Sequence, residues 1–132
     1  MTLERAVLEH ALAGDHPVLR TLREQLEVCT LAPRTETGVG FYVELECPSD
    51  MPTISGMAAI HISDVIAEID GLKHGAGFVI HVRNGRLDQV EGFSYDEPWP
   101  KSIGFFRLSY AGGETREQML SEIARSRSPE AQ

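Results

Sequence analysis

Hydrophobic positions change period twice along this chain. Leu3, Ala6, Val7, His10 and Ala11 recur at helical spacing, with Thr2 able to cap the start and Gly14 to end the run. A second helix is expected from Asp15-His16-Pro17, because proline suits the first helical turn and a polar residue ahead of it can cap. Leu19, Leu22 and Leu26 give it one apolar face, and Arg20, Arg23, Glu24 and Gln25 cover the other. The two runs read as a short helical hairpin or as one helix bent at Gly14. Alternation then replaces helical spacing. In residues 39–47, Val39, Phe41, Val43 and Leu45 alternate with Gly40, Tyr42, Glu44 and Glu46, a half-buried strand with an acidic wet side. Residues 28–31, 57–62 and 65–69 are weaker strand candidates. The last two also read as one strand broken near Ser63-Asp64. Residues 103–110 alternate again. Thr115 and Gln118 then have capping-box spacing ahead of Met119, Leu120 and Ile123, which predicts a closing helix.

The clearest local pattern is a hairpin. Phe78, Ile80 and Val82 face one way and Val79, His81 and Arg83 the other, and Asn84-Gly85 supplies the positive φ values of a tight turn. On the return strand Leu87, Val90 and Phe93 are spaced by three. A β-bulge near Asp88-Gln89 brings Leu87 and Val90 to the same side and leaves Glu91 on the other, where Asp88 or Glu91 can reach His81 across the pair. Strands joined by short turns pair antiparallel, and helices at the chain ends shield one face. The expected fold is α+β: an antiparallel sheet of five to six strands, with an N-terminal helix or helical hairpin and a C-terminal helix packed on one face. Residues 1–125 form a single domain and 126–132 a frayed polar tail.

Composition narrows the partners. The chain has 132 residues, 42% of them hydrophobic, so a core can form unaided; its net charge of −8 disfavours nucleic acid and anionic membrane surfaces. Residues 35–72 contain no Lys or Arg but carry Glu36, Glu44, Glu46, Asp50, Asp64, Glu68 and Asp70, a surface suited to a basic partner. Cys29 and Cys47 lack C-x-x-C spacing and are expected as buried, reduced thiols; with no secretory pattern at the start and no apolar run long enough to span a bilayer, a soluble cytoplasmic protein is expected.

Candidate chemistry is sparse. Tyr95-Asp96-Glu97-Pro98-Trp99-Pro100 holds the only Trp between two prolines, as a plug for the sheet or as an exposed anchor. The contact residues expected for a protein partner are Glu91, Tyr95, Asp96, Glu97 and Trp99. An alternative is a pocket between sheet and helices with His81, Glu91 and Asp96 as its polar groups, serving a small ligand or acid–base chemistry. His61, His74 and His81 lack metal-ligand spacing. Gly75 and Gly77 lack the third glycine and the helix of a dinucleotide site, and read as crowded backbone beneath Trp99. No cofactor, metal or catalytic residue is assigned.

His74-Gly-Ala-Gly-Phe78, Asn84-Gly-Arg-Leu87 and Glu91-Gly-Phe-Ser-Tyr-Asp-Glu-Pro-Trp-Pro100, with a weaker echo at Thr37-Gly-Val-Gly-Phe41, resemble a group of small bacterial proteins of unknown function. The resemblance implies a stand-alone soluble domain and carries over no catalytic residue. The strand–Asn-Gly–strand–Glu pattern is also loosely similar to hairpins of small α+β bacterial proteins, including immunity proteins of toxin systems. The functional expectation is a non-catalytic, acidic interaction module, an immunity-like binder of a basic bacterial partner being one version. A homodimer that covers exposed strand edges is compatible with it.

Overall fold

The computed structural model describes residues 2–56 and 59–112, together with 116, 118 and 121. The chain opens with two separate helices, α1 (Leu3–Ala11) and α2 (Pro17–Val28). Thr2 caps α1 by accepting from the Arg5 amide at 3.2 Å, and Leu3, Val7, Leu8 and Ala11 form its buried stripe. Gly14, at φ +127°, turns the chain where a side chain would be strained, which settles the choice in favour of two helices. α2 starts at Pro17 with an imidazole as its cap: His16 Nδ1 accepts from the Val18 amide at 3.1 Å. Val18, Leu19, Leu22, Gln25 and Leu26 are its buried face.

Eight strands follow: β1 (Thr30–Leu31), β2 (Thr35–Glu36), β3 (Gly40–Glu46), β4 (Ala59–Ile62), β5 (Val65–Ile69), β6 (Ala76–Arg83), β7 (Arg86–Ser94) and β8 (Phe106–Tyr110). Every pairing is antiparallel, in the order β1-β3-β7-β6-β5-β8, with β2 also on β3 and β4 also on β6. The expected five or six strands are therefore eight, because two of the lines are broken. β1 and β2 flank the same strand on either side of Pro33. β4 and β5 flank β6 on either side of Ser63 and Asp64, whose backbone leaves the ladder. The two-residue strand at Thr35–Glu36 is too short to show an alternating pattern and was not anticipated.

The α+β class and the antiparallel sheet agree with the sequence, as does the hairpin, whose Asn84 and Gly85 have φ of 54° and 74°. The expected bulge is there: His81 pairs with Gln89 and Val82 with Leu87, so Asp88 is the extra residue. Both described helices come from the N-terminal stretch. The closing helix expected at Thr115, Met119, Leu120 and Ile123, and the tail 126–132, lie outside the described residues.

α1 packs over β5, β6 and β8, and α2 over β7. Leu8, Leu19, Leu22, Phe41, Val43, Phe78, Ile80 and Val90 belong to the one cluster between these layers. Gln25 is buried inside it and makes three hydrogen bonds. Its amide donates to Pro52 O (2.9 Å) and Gly85 O (2.8 Å), and its carbonyl accepts from the Leu87 amide (2.8 Å). Two arginines hold the carbonyls that α1 leaves unpaired at its C-terminus. Arg23 donates to Leu12 O and Gly14 O, and Arg116 to Ala11 O and Ala13 O. Arg116 also directs Nη1 to both oxygens of the buried Asp64 carboxylate, at 3.0 and 2.9 Å.

The expectation of reduced thiols is corrected: Cys29 and Cys47 form a disulfide. Cys29 ends α2 and Cys47 follows β3. The Thr30–Glu46 pairing places them on the next rung, with Cα atoms 4.3 Å apart. The sequence did not disclose that register. Among the described residues, no helix is long and apolar enough to cross a membrane.

Candidate functional site

Period-two alternation gives the sheet an inner face, against the helices, and an outer face that no described helix covers. Phe78, Ile80 and Val82 are buried on the inner face, while Val79 and His81 point outward and are half-buried. The bulge at Asp88 resets β7 so that Glu91 joins them. Glu91 Oε1 lies 3.0 Å from His81 Nε2, the cross-strand contact expected from the sequence. The partner on the other side is His61, which the sequence reading left without a role. It stands directly opposite His81 on β4, with the two Nδ1 atoms 3.0 Å apart and the rings crossed at 84°. Only the β4–β6 register brings them together, and no turn motif announces that pairing.

The alternative pocket is corrected on two counts. The space between sheet and helices is filled by the core, and His81 and Glu91 lie on the far side of the sheet from it. Asp96 does not join them; it occupies the turn after β7, exposed and at φ +60°. No hydroxyl or thiol among the described residues hydrogen-bonds to His61 or His81.

The aromatic segment beyond β7 divides into structural and exposed parts. Trp99 is 8% exposed, packs edge-to-face on Phe41 with centroids 5.2 Å apart, and donates its backbone N–H to Gly38 O at 2.9 Å. It plugs the end of the sheet, which corrects its expected role as an exposed contact residue; its indole Nε1 is buried without a hydrogen-bond partner among the described residues. Glu97 is engaged as well. Its two carboxylate oxygens accept from the Lys73 and His74 amides at 2.9 and 3.0 Å, and these bonds hold its carboxyl below the usual range. Tyr95 remains exposed and crosses Phe93 edge-to-face with centroids 5.6 Å apart. Both rings lie over Gly77. A Cβ at that position would come within 2.7 Å of the Phe93 ring and of the Tyr95 hydroxyl, so the crowding expected beneath Trp99 is beneath this pair instead.

The outer face therefore carries Tyr42, Val79 and Phe93, all half-buried, and the exposed Tyr95. Tyr42 pairs with Glu91, and Glu44 and Glu46 project from the same side of β3. A shallow groove of about 590 Å³ continues from Tyr95 along Ile66, Glu68 and Phe105 to Lys73 and His74. Phe105, 62% exposed, stands at its rim. No protein-family model, curated protein or solved structure matches this chain.

Proposed function

We propose that the protein is a non-catalytic interaction module that receives a basic protein surface on the helix-free face of its sheet. The observation that carries this reading is the combination on one face of aromatic surface (Tyr42, Phe93 and Tyr95) with the acids Glu44, Glu46 and Glu91. Aromatics supply contact area at low entropic cost, and acids around them select a cationic partner and speed its approach. The net charge of −8 acts in the same direction. Contact is assigned to Glu91, Tyr95 and Asp96, with Tyr42 and Glu44 added to the patch. Trp99 and Glu97 support it from within. Inhibition of a basic toxin, as an immunity protein does, is one form such binding takes.

The test uses immobilised wild-type protein against lysate of the cell that produces it, with Glu44→Lys, Tyr95→Ala and Glu24→Lys as parallel baits. Glu24 is exposed on α2, remote from the patch. The expected result is a basic protein retained by wild type and Glu24→Lys and reduced at least about tenfold on the other two, as loss of a hot-spot residue does. Retention of no basic protein, or equal retention on all four baits, refutes the reading.

A further inference from the structure

His61 and His81 occupy one rung of the β4–β6 ladder, and their Nδ1 atoms converge to 3.0 Å. Glu91 fixes the chemistry of that approach. An ionised carboxylate only accepts, so in the neutral form of the ring the proton sits on His81 Nε2 and the lone pair on Nδ1, facing His61. A carboxylate bonded to the remote nitrogen of a histidine is the arrangement that orients metal-ligating imidazoles and raises their basicity. The spacing fits as well. Two nitrogens 3.0 Å apart, each about 2.0–2.1 Å from a common cation, subtend roughly 95° at it, close to the cis angle of tetragonal coordination.

We propose that His61 and His81 form a two-imidazole chelate for a divalent transition metal, Cu(II) or Ni(II) in preference to Zn(II), with Glu91 as the positioning residue of His81. Tetrahedral zinc requires the two nitrogens to spread to about 3.3 Å, whereas a tetragonal ion takes them as they stand. His61 binds as its Nε2–H tautomer. Water completes the shell, since no group of three or more His, Cys, Asp or Glu residues converges on one point among the described residues. His74 stands apart, in the turn that Glu97 holds.

The test titrates CuCl2 or NiCl2 into the full-length, tag-free protein near neutral pH, read by calorimetry and by electron paramagnetic resonance of the copper complex. Wild type binds one equivalent of Cu(II), with nitrogen hyperfine structure from two imidazoles. His61→Ala and His81→Ala each lose that site, His74→Ala keeps it, and Glu91→Gln weakens it about 10–100-fold. All three histidines are at least partly solvent-accessible, and circular dichroism of each variant verifies its fold. Independently of any variant, sub-stoichiometric copper broadens the His61 and His81 imidazole resonances of wild type before those of His16 and His74. Millimolar affinity in wild type, binding undiminished in His81→Ala, or first broadening at His16 or His74 overturns the proposal. The metal is the only probe, so this result and the partner-binding result stand or fall separately.

Discussion

Arg116→Ala is the substitution whose cost the structure specifies most fully. Asp64 is 1% exposed where β4 breaks from β5, and Arg116 Nη1 holds both its carboxylate oxygens, at 3.0 and 2.9 Å. The same guanidinium satisfies Ala11 O and Ala13 O at the end of α1 and lies 4.7 Å over the Tyr110 ring. Tyr110 in turn donates to His10 O at 2.6 Å. Removing Arg116 leaves a buried carboxylate without a counter-ion and two carbonyls without donors. Breaking a buried pair from one side costs about 3–5 kcal/mol, because the remaining charge keeps its desolvation penalty. For a domain of this size that lowers Tm by about 10 °C or more. Arg116→Lys recovers only part of the loss, since Arg116 holds Asp64 with Nη1 and the α1 carbonyls with Nη2, and a lysine has a single nitrogen for both. Urea unfolding followed by circular dichroism measures the singles and the Asp64→Ala/Arg116→Ala double variant. The double variant is expected to lose less than the sum of the singles by about 1.5 kcal/mol or more, because it strands no charge. A loss below about 1 kcal/mol for Arg116→Ala, typical of an exposed pair, or strict additivity in the cycle, refutes the account.

Reduction of Cys29–Cys47 reopens an 18-residue separation, and the chain-entropy relation gives a stability loss of about 3 kcal/mol, read as a fall in Tm with dithiothreitol and an unchanged melt for Cys29→Ala/Cys47→Ala on adding it. Gln25→Leu removes the partner of the Leu87 amide and of Pro52 O and one of the two donors on Gly85 O, which keeps the Ile54 amide, and is expected to destabilise by about 2–3 kcal/mol in urea titration. His10 has its pKa lowered by burial first and by Arg116 second, against a smaller opposing effect of Asp64. The unfolded chain thus takes up that proton first, near pH 6.5, and stability falls as pH drops from there to the lower folded value. Replacing His10 with Phe, which keeps the stack on Tyr110, is expected to flatten that pH dependence.

What the sequence disclosed followed from short-range rules. The hairpin, its bulge and the His81–Glu91 contact all lie within residues 76–94, where turn type and alternation determine who meets whom. The helix ends were legible because Thr2, Gly14 and Pro17 each impose a local backbone geometry. Contacts set by long-range register were not. Cys29 meets Cys47 through the β1–β3 rung, His61 meets His81 through the β4–β6 rung, and Arg116 reaches Asp64 from 52 positions away. Trp99 shows a second limit: flanking prolines foretold its rigidity, but its burial depended on Phe41 and Gly38 from a distant strand and loop.

The broken lines of the sheet bear on how a partner can be recognised. At one border, β1 and β2 offer two residues each and are divided by Pro33; at the other, β8 is five residues long with Arg107 second, and β4 is four residues long. Neither border presents a long, flat run of free amides and carbonyls, so β-augmentation, in which a visiting segment zips onto the rim backbone to backbone, finds little template. The same frugality guards against open-ended stacking of copies. The binding proposed above would then fall to side chains on the broad surface, where substitution can retune selectivity without disturbing the scaffold.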